Sequence, residues 1–388
     1  MRVVVASEAF GDLLPAADVL AAVTAGWLDL APADRVVARA VSGAGRGLIE
    51  AVAAHLGGRT HVVPAQDALG GPTLATVLVV DEPRGSTAYL EAGQVCGPQS
   101  VASAMPGESL MRAGTRGLGA LLLAARDLGV DRVVLGLDDA AVPDLGIGML
   151  SALAGVSVPV DLAALADWTA QDVVGVAAAA RATLRGMAVQ GAGDLHAALL
   201  GLSGASVRAA ASWGAGPDEA QELERTLGRL VDEIRRTVGE PRDLVTGLPV
   251  RIDRRPGVGA GSGVGFGLAL VDATFTDGHE CVLRAVGFDD AIEGADLLVG
   301  VVESIDAVAL HESTLPALVG AAAARGIPAV AIAARGGLGR RETMAAGLSG
   351  AYAVYPAFQP WPPPADDVVE RLRQRAAAVA RTWSPPWV

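Results

Sequence analysis

A glycine-rich run is the most distinctive chemical feature of the sequence, with a glycine at every second position from Gly257 to Gly267. Because glycine has no Cβ, such a loop lets backbone N–H groups approach a phosphate closely, and the helix predicted to follow adds the positive end of its dipole. The run is also typical of a tight loop leading into a helix packed closely on a sheet. No Gly-Lys-Ser/Thr follows, which excludes a Walker-type phosphate loop. Both interpretations of the run, a backbone cradle for an anion and a loop required for packing, stay open.

Carboxylates follow several predicted strands at the points where those strands end. They are Glu8 after the opening apolar run, Asp138 and Asp144 after the run at 132–137, and Asp306 after a run that ends near residue 302. In α/β proteins these strand ends hold ligands, and carboxylate oxygens are ligands that Mg²⁺ prefers. The alternatives are solvated turn residues and, for Asp144, a helix cap.

Histidine and cysteine are too scattered to predict a zinc site or a disulfide framework. His311 follows the last of these acids and is a candidate for ligand contact, although a lone histidine there is more often a polar surface or capping residue. The other histidines have no partner at ligand spacing. Cys96 and Cys281 are predicted to be ordinary reduced thiols.

Lysine is absent from the 388-residue chain: all 30 residues counted as lysine or arginine are arginines, and asparagine is missing as well. A GC-rich genome that avoids A-rich codons explains this bias most simply. The absence excludes every mechanism that needs a lysine ammonium, including Schiff-base chemistry.

The net charge of −13 argues against binding to nucleic acid or to anionic membranes, because both need a clustered cationic face. No apolar stretch reaches the roughly 18 to 20 residues that span a bilayer, and the opening run is too short for a signal peptide. We therefore expect a cytoplasmic protein; its oligomeric state stays open.

The pattern of apolar residues predicts an α/β fold in two parts. A β-branched run at 2–7 and helical spacing from 15 to 30 open a βαβα segment, and the C-terminal portion alternates strands and helices in the same way. We predict a parallel-sheet, flavodoxin/Rossmann-like domain built from 1–65 and 284–388, with a second α/β domain inserted at 66–283.

The order and spacing of these segments resemble the class I glycerate kinase family, which transfers the γ-phosphoryl group of ATP to D-glycerate. The resemblance spans nearly the whole chain and rests on the opening strand and helix, Thr87–Ala92, Thr115–Gly119, the glycine run and Leu297–Asp306. The resemblance implies the same two-domain α/β fold, ATP and Mg²⁺ as cofactors, and, if the protein is active, a small organic acid and a nucleotide as partners.

The resemblance also implies three groups of site residues. They are catalytic contacts to Mg²⁺ or the substrate hydroxyl at Asp144, Asp306 and Glu8, substrate contacts at Arg116, Glu91 and His311, and cofactor contacts at Gly257, Gly259, Gly261, Gly263 and Asp194. The metal ligands stay open.

Three lysines of the family motifs are replaced here by Gly11, Trp213 and Ser313, and Arg46 stands where the family has an acid. Phosphoryl transfer depends on cations around the transferring group, and removing one such group costs about 3–4 kcal/mol of barrier. Genome bias would have substituted arginine, so it does not explain these changes.

We expect ATP-dependent phosphorylation of D-glycerate to be strongly weakened or lost. The alternatives are a non-catalytic pseudoenzyme with a binding or regulatory role and a kinase for another small hydroxy acid.

Overall fold

The computed structural model describes residues 1–100, 110–157, 161–239, 242, 247, 250–306, 313–355 and 361–384. Its strands are β1 (Arg2–Ser7), β2 (Arg35–Ala40), β3 (Arg59–Gln66), β4 (Pro72–Glu82), β5 (Gly85–Glu91), β6 (Arg132–Gly136), β7 (Ala188–Gly193), β8 (Thr274–Asp277), β9 (Leu297–Ile305), β10 (Ala329–Gly336) and β11 (Gly350–Tyr355). Its helices are α1 (Ala16–Leu30), α2 (Leu48–Leu56), α3 (Gly93–Cys96), α4 (Arg116–Asp127), α5 (Ile147–Leu153), α6 (Ala170–Thr183), α7 (Ala205–Trp213), α8 (Pro217–Val238), α9 (Val264–Leu270), α10 (Gly278–Ala285), α11 (Phe288–Ile292), α12 (Leu315–Ala323), α13 (Arg340–Ala345) and α14 (Ala365–Trp383).

The chain forms two compact units. The described parts of Met1–Gly43, Glu50–Gly57 and His279–Val388 make up the terminal unit, and those of Ala44–Ile49 and Gly58–Gly278 make up the inserted unit. The predicted boundaries at 65/66 and 283/284 differ from these. Because β3 pairs along its length with β4, and β8 pairs with β7, the inserted unit takes in the whole of β3 and ends just after β8.

The terminal unit is built on a sheet whose described strands run β2-β1-β9-β10-β11, all paired in parallel. Residues Val3–Ser7 of β1 are buried, which is typical of a central parallel strand covered on both faces. This order is the doubly wound, flavodoxin-like one, so the predicted fold class is confirmed for this unit. Its topological switch point, where such sheets hold ligands, lies between β1 and β9.

Helices α1 and α14 meet on the terminal unit through a glycine. A Cβ at Gly26 would stand 2.0 Å from the backbone oxygen of Arg373, so only a residue without a side chain allows the two helices to approach this closely. Behind this contact, Trp27 and Leu372 are fully buried in the core.

The inserted unit is built on a mixed sheet in the order β3-β4-β5-β6-β7-β8. Strands β5 to β8 pair in parallel, whereas β3 pairs antiparallel with β4 and β4 pairs antiparallel with β5. A tight turn at Gly85, with φ of 121°, joins β4 to β5. Helix α8 packs against α6 and α7, and its apolar stripe of helical period includes Leu223, Leu227 and Leu230. This unit is therefore α/β, as predicted.

Within the described ranges, no helix combines the length and the apolar character needed to cross a bilayer.

Candidate functional site

Acidic side chains of the terminal unit gather at the switch point of its sheet. Glu8 directly follows β1, Glu303 lies near the end of β9, and Asp306 directly follows β9. Ser7 of β1 stands beside Val301 of β9 in register, so these acids follow neighbouring strands at the same edge of the sheet.

Glu8 binds the start of a helix. Its Oε1 accepts a hydrogen bond of 2.5 Å from the backbone N–H of Thr314, the residue that precedes α12. A carboxylate at this place satisfies an N–H that the helix leaves unpaired and faces the positive end of the helix dipole. Glu8 therefore fixes the entry to α12, and its predicted catalytic role stays a prediction.

Glu303 faces Arg335, a residue outside the sequence motifs. Arg335, near the end of β10, places Nη2 3.7 Å from Oε1 of Glu303 and its guanidinium 5.7 Å from the ring centre of Trp361. Its Nε is buried and has no hydrogen-bond partner among the described residues. The sequence signal was present, since Arg335 follows a buried apolar strand and precedes Gly336 and Gly337. Arg335 thus places a cation beside the acids at this edge of the sheet.

Asp306 is exposed, and its Oδ2 accepts a hydrogen bond of 3.2 Å from the Ser304 hydroxyl. Its neighbour in the prediction, His311, lies outside the described residues. Asp306 is therefore the predicted catalytic acid of this unit that is open to solvent.

The inserted unit holds a glycine-rich loop, residues 44–49, by carboxylates of its own chain. Oε1 of Glu91 accepts hydrogen bonds from the N–H groups of Gly47 and Ile49 at 3.1 and 3.0 Å. Asp138 accepts one from Ala44 at 2.8 Å, and Asp139 accepts one from the N–H of Arg46. These loop amides are the kind of donor that would otherwise bind an anion.

Burial raises the pKa of the Glu91 carboxyl, and the nearby Asp139 carboxylate adds to the rise, while the two amide hydrogen bonds oppose it. The two hydrogen bonds thus fix the position of the Glu91 carboxyl, and its surroundings disfavour the ionised form. Its predicted contact with a substrate stays a prediction.

Asp144 is fully buried between two helix starts. Oδ2 accepts from the N–H groups of Thr115 and Gly148 at 2.9 and 3.1 Å, Oδ1 accepts from Gly146 at 2.8 Å, and the Thr115 hydroxyl lies 2.7 Å from Oδ2. Burial raises the pKa of Asp144, and these hydrogen bonds oppose the rise. The capping alternative describes what this carboxylate does here, because it joins the start of α4 to the start of α5.

Arg116, the first residue of α4, is positioned through this contact. It is half-buried, and its Nη1 donates a 2.8 Å hydrogen bond to the backbone oxygen of Val156. A guanidinium carries five N–H donors, so one carbonyl contact leaves capacity for a carboxylate or a phosphate.

Close packing accounts for several glycines of the run. A Cβ at Gly259 would lie 2.1 Å from the oxygen of Ala197, one at Gly265 would lie 2.0 Å from the oxygen of Gly257, and one at Gly267 would lie 2.6 Å from the oxygen of Leu145. Gly257, Gly261 and Gly263 have positive φ angles of 85°, 59° and 96°. The packing interpretation is thus sufficient for these glycines, and the predicted anion cradle stays a prediction.

Asp194, the remaining predicted cofactor residue, lies directly after β7 and is exposed. Its Oδ1 accepts a 2.8 Å hydrogen bond from the N–H of His196, which shapes the loop that follows the strand.

No group of three or more acidic, histidine or cysteine side chains in the described ranges is arranged to hold a metal ion. Kinases commonly hold Mg²⁺ with only one or two carboxylates together with substrate phosphates. The exposed Asp306, at the switch point, is a donor of the type that such a shared site uses.

The chain is similar in sequence to known proteins over most of its length. Residues 3–384 match the model of the glycerate kinase family. An uncharacterized protein of Mycobacterium tuberculosis (strain CDC 1551 / Oshkosh) is 28% identical over 356 residues, covering 91% of this chain and 84% of that protein. The glycerate kinase of Bacillus subtilis (strain 168) is 24% identical over 389 residues, covering 98% of this chain and 97% of that enzyme.

A further relative, the glycerate 2-kinase of Escherichia coli (strain K12), is 26% identical over 324 residues, covering 80% of this chain and 79% of that enzyme. The crystal structure of a Salmonella typhimurium LT2 protein described as a glycerate kinase 2 superimposes with a TM-score of 0.72 over 98% of both chains. At 23% identity this likeness shows the fold alone.

Replacing the acid with its amide is expected to lower the stability at the buried Asp144 but not at the half-buried Glu91. In the wild type, each of the two Asp144 oxygens accepts a hydrogen bond from a backbone N–H. Asp144→Asn replaces one of these oxygens with an NH2 group, which must then face a buried donor. Leaving such a group unsatisfied costs about 1–3 kcal/mol. We expect the free energy of unfolding to fall by about 2–3 kcal/mol in urea denaturation. Asp194→Asn, whose exposed oxygen accepts a single N–H, is the control. An Asp144→Asn variant as stable as the wild type would contradict the capping role.

Glu91→Gln is expected to be at least as stable as the wild type at pH 7. Oε1 of Glu91 accepts the hydrogen bonds from both backbone N–H groups, those of Gly47 and Ile49. The amide oxygen of a glutamine can keep these two bonds while the negative charge is removed. Because the folded pKa is raised above the unfolded one, the ionised form destabilises the fold above the folded pKa. The penalty disappears as the pH falls below the unfolded value. The Tm difference between variant and wild type is therefore expected to shrink between pH 7 and pH 4. Glu222→Gln, on the exposed face of α8, is the control, and a clearly lower Tm for Glu91→Gln at pH 7 would refute this account.

Proposed function

The chain belongs to the glycerate kinase family, and on that premise we propose that it keeps the family's ligand-binding scaffold while its ATP-dependent phosphorylation of D-glycerate is strongly weakened. The proposal concerns the cations that surround the transferring phosphoryl group. Catalysis of this transfer consists almost entirely of positioning and electrostatic stabilisation, so those cations decide the rate.

The surroundings of Trp213 are the observation that carries the proposal. Trp213 stands where the family resemblance has a lysine, and here it is 4% exposed and belongs to the core of the inserted unit. Its Nε1 donates a 2.9 Å hydrogen bond to the backbone oxygen of Ala141. Core packing has therefore taken over this position, and a cation there would require the core to be rebuilt.

The other two lysine positions are also occupied by residues with structural roles. Gly11 adopts a left-handed φ of 51°, and a Cβ there would lie 3.3 Å from Oε2 of Glu303. The Ser313 hydroxyl accepts a 3.4 Å hydrogen bond from the N–H of Leu315 at the start of α12. Each missing cation costs roughly 10²–10³ in rate when its donor acts on the transition state.

The residues that remain suggest how a residual reaction is arranged. Mg-ATP, when bound, supplies the γ-phosphoryl group. In the terminal unit, Asp306, exposed at the end of β9, would contact the metal or orient the substrate hydroxyl. In the inserted unit, Arg116 is the candidate for binding a carboxylate through its remaining N–H groups. Glu8 and Asp144 act as positioning residues, because their carboxylates hold helix starts.

A non-catalytic binding role is the second candidate, and the loop at 44–49 favours it. Its N–H groups bind Glu91, Asp138 and Asp139 of the same chain. A loop whose donors already face carboxylates offers none of them to a transferring phosphoryl group, which disfavours catalysis but does not affect binding elsewhere in the chain. A complete loss of transfer, together with retained binding of small acids, would favour this candidate.

Restoring a cation at position 313 tests the proposal. Ser313 is half-buried at the start of α12, so a lysine side chain can extend outward from it without disturbing the core. In a coupled assay with Mg-ATP and D-glycerate, we expect Ser313→Lys to raise kcat/KM at least about tenfold, part of the roughly 10²–10³ that one well-placed donor contributes.

Ser313→Gln, which has similar reach without charge, is the matched control and is expected to leave the rate within about twofold. Equal rates for the lysine and glutamine variants, both folded, would contradict the proposal that missing cations limit the reaction.

A further inference from the structure

Arg335 lies near the end of β10, at the edge of the terminal sheet where the predicted acids gather. It stands beside Ser304 of β9 in parallel register, and strands paired in this way lie about 4.8 Å apart. The Ser304 hydroxyl in turn donates a hydrogen bond of 3.2 Å to Asp306. A guanidinium and the exposed acid Asp306 therefore belong to adjacent strand ends, and none of the roles assigned above uses this guanidinium.

Close packing of the backbone fixes where the Arg335 side chain begins. The next residue, Gly336, has a positive φ of 95°, and a Cβ there would lie 2.6 Å from the backbone oxygen of Ile305. Only glycine allows β10 to run this close to β9 directly after Arg335. The base of the arginine side chain is therefore set by strand packing.

The guanidinium of Arg335 is supported by an aromatic ring. Its Cζ lies 5.7 Å from the ring centre of Trp361, and that ring meets Tyr355 at 70°, with the two centres 5.9 Å apart. Tyr355 is itself buried and donates a 2.6 Å hydrogen bond to Asp367. A guanidinium stacked on a ring keeps its N–H groups in its own plane, so this support leaves them available to a ligand.

The side-chain donors of Arg335 make no hydrogen bond within the described residues. Nη2 lies 3.7 Å from Oε1 of Glu303, which is an ion pair beyond hydrogen-bond length. The side chain is 43% exposed while Nε is buried, so the Nη groups are the ones that can reach a ligand. Arg229 shows the structural alternative, since its Nη2 donates to the backbone oxygens of Leu165 and Ala166.

The carboxylate of Glu303 lies between Arg335 and Gly11. Its Oε1 faces the guanidinium, and its Oε2 stands 3.3 Å from the place that a Cβ at Gly11 would take. Gly11 is one of the positions where the family resemblance has a lysine, so the cation beside this acid comes here from β10. Because Glu303 is negatively charged, it also competes with any anion that approaches Arg335.

We propose that Arg335 is the residue that recognises the carboxylate of the small hydroxy acid, next to Asp306 on the adjacent strand as the group that orients the hydroxyl. The inference rests on the proposed function in taking such an acid as the ligand. The planar fork of a guanidinium matches a carboxylate in bidentate fashion. The proposal assigns this contact to the terminal unit instead of to Arg116, one of whose Nη groups already donates to Val156.

Calorimetric titration of the full-length protein with D-glycerate, without ATP, tests Arg335 independently of any phosphoryl transfer. We expect Arg335→Gln to raise the Kd by about tenfold or more, because a charge-assisted bidentate contact is lost. Arg335→Lys keeps the charge but not the planar fork, so its Kd is expected to lie between those of Arg335→Gln and the wild type. Arg341→Gln, which removes an exposed arginine from α13 of the same unit, is the matched control and is expected to bind like the wild type.

Glu303→Gln separates recognition of the acid from a structural role of the ion pair. Removing the competing carboxylate is expected to lower the Kd for D-glycerate by about twofold or more. A purely structural ion pair would instead leave the Kd unchanged and lower the Tm when it is broken. Opposite shifts of the Kd in Arg335→Gln and Glu303→Gln are therefore the signature of the proposed contact.

An unchanged Kd in Arg335→Gln or in Glu303→Gln would overturn the assignment, as would a wild type that does not bind D-glycerate at millimolar concentration. Equal weakening in Arg335→Gln and Arg341→Gln would overturn it as well, because it would report only the loss of general positive charge. Weakening by Arg116→Gln alone would return the carboxylate to that residue. Binding that depends on Arg335 but yields no phosphoglycerate with Mg-ATP would support the assignment and contradict only the proposed reaction.

Discussion

Carboxylates that hold backbone N–H groups at the ends of strands are the interaction on which both units depend. Asp144 joins two helix starts from a fully buried position, Glu91 holds the loop at 44–49, and Glu8 holds the start of α12. Parallel sheets place such loops and helix starts at one edge, where their unpaired donors must be satisfied. This chain satisfies them with its own acids, which gives the edges a defined shape in the absence of a ligand.

The need to satisfy backbone donors and to pack the core also affects phosphoryl transfer. A site for phosphoryl transfer needs cations or free donors around the transferring group. Here a buried tryptophan, a left-handed glycine and a serine at a helix start occupy the positions where the family resemblance has lysine. Selection for packing and for satisfied hydrogen bonds explains Trp213 and Gly11 better than selection for catalysis does. The fold of the family persists because those structural interactions do not depend on the lost cations.

Sequence patterns predicted the parts of the fold that depend on local chemistry. The buried β-branched run of β1 and the alternation of strands and helices gave the α/β class and the terminal parallel sheet. The pairing of β3 with β4 moved a domain boundary, because strand pairing depends on contacts distant in sequence. The burial of Asp144 could not be predicted from the neighbouring sequence either. In the sequence it is an acid that follows a strand, and only tertiary packing encloses it.

Turnover of the wild-type protein with saturating Mg-ATP and D-glycerate is the most direct test of the central claim, with Asp306→Ala as the blank for contaminating kinase. We expect phosphoglycerate to form with a kcat below about 1 s⁻¹, the lower end of the usual enzyme range. A kcat well above that value, abolished by Asp306→Ala, would show that the replaced lysines are not needed and would contradict the account.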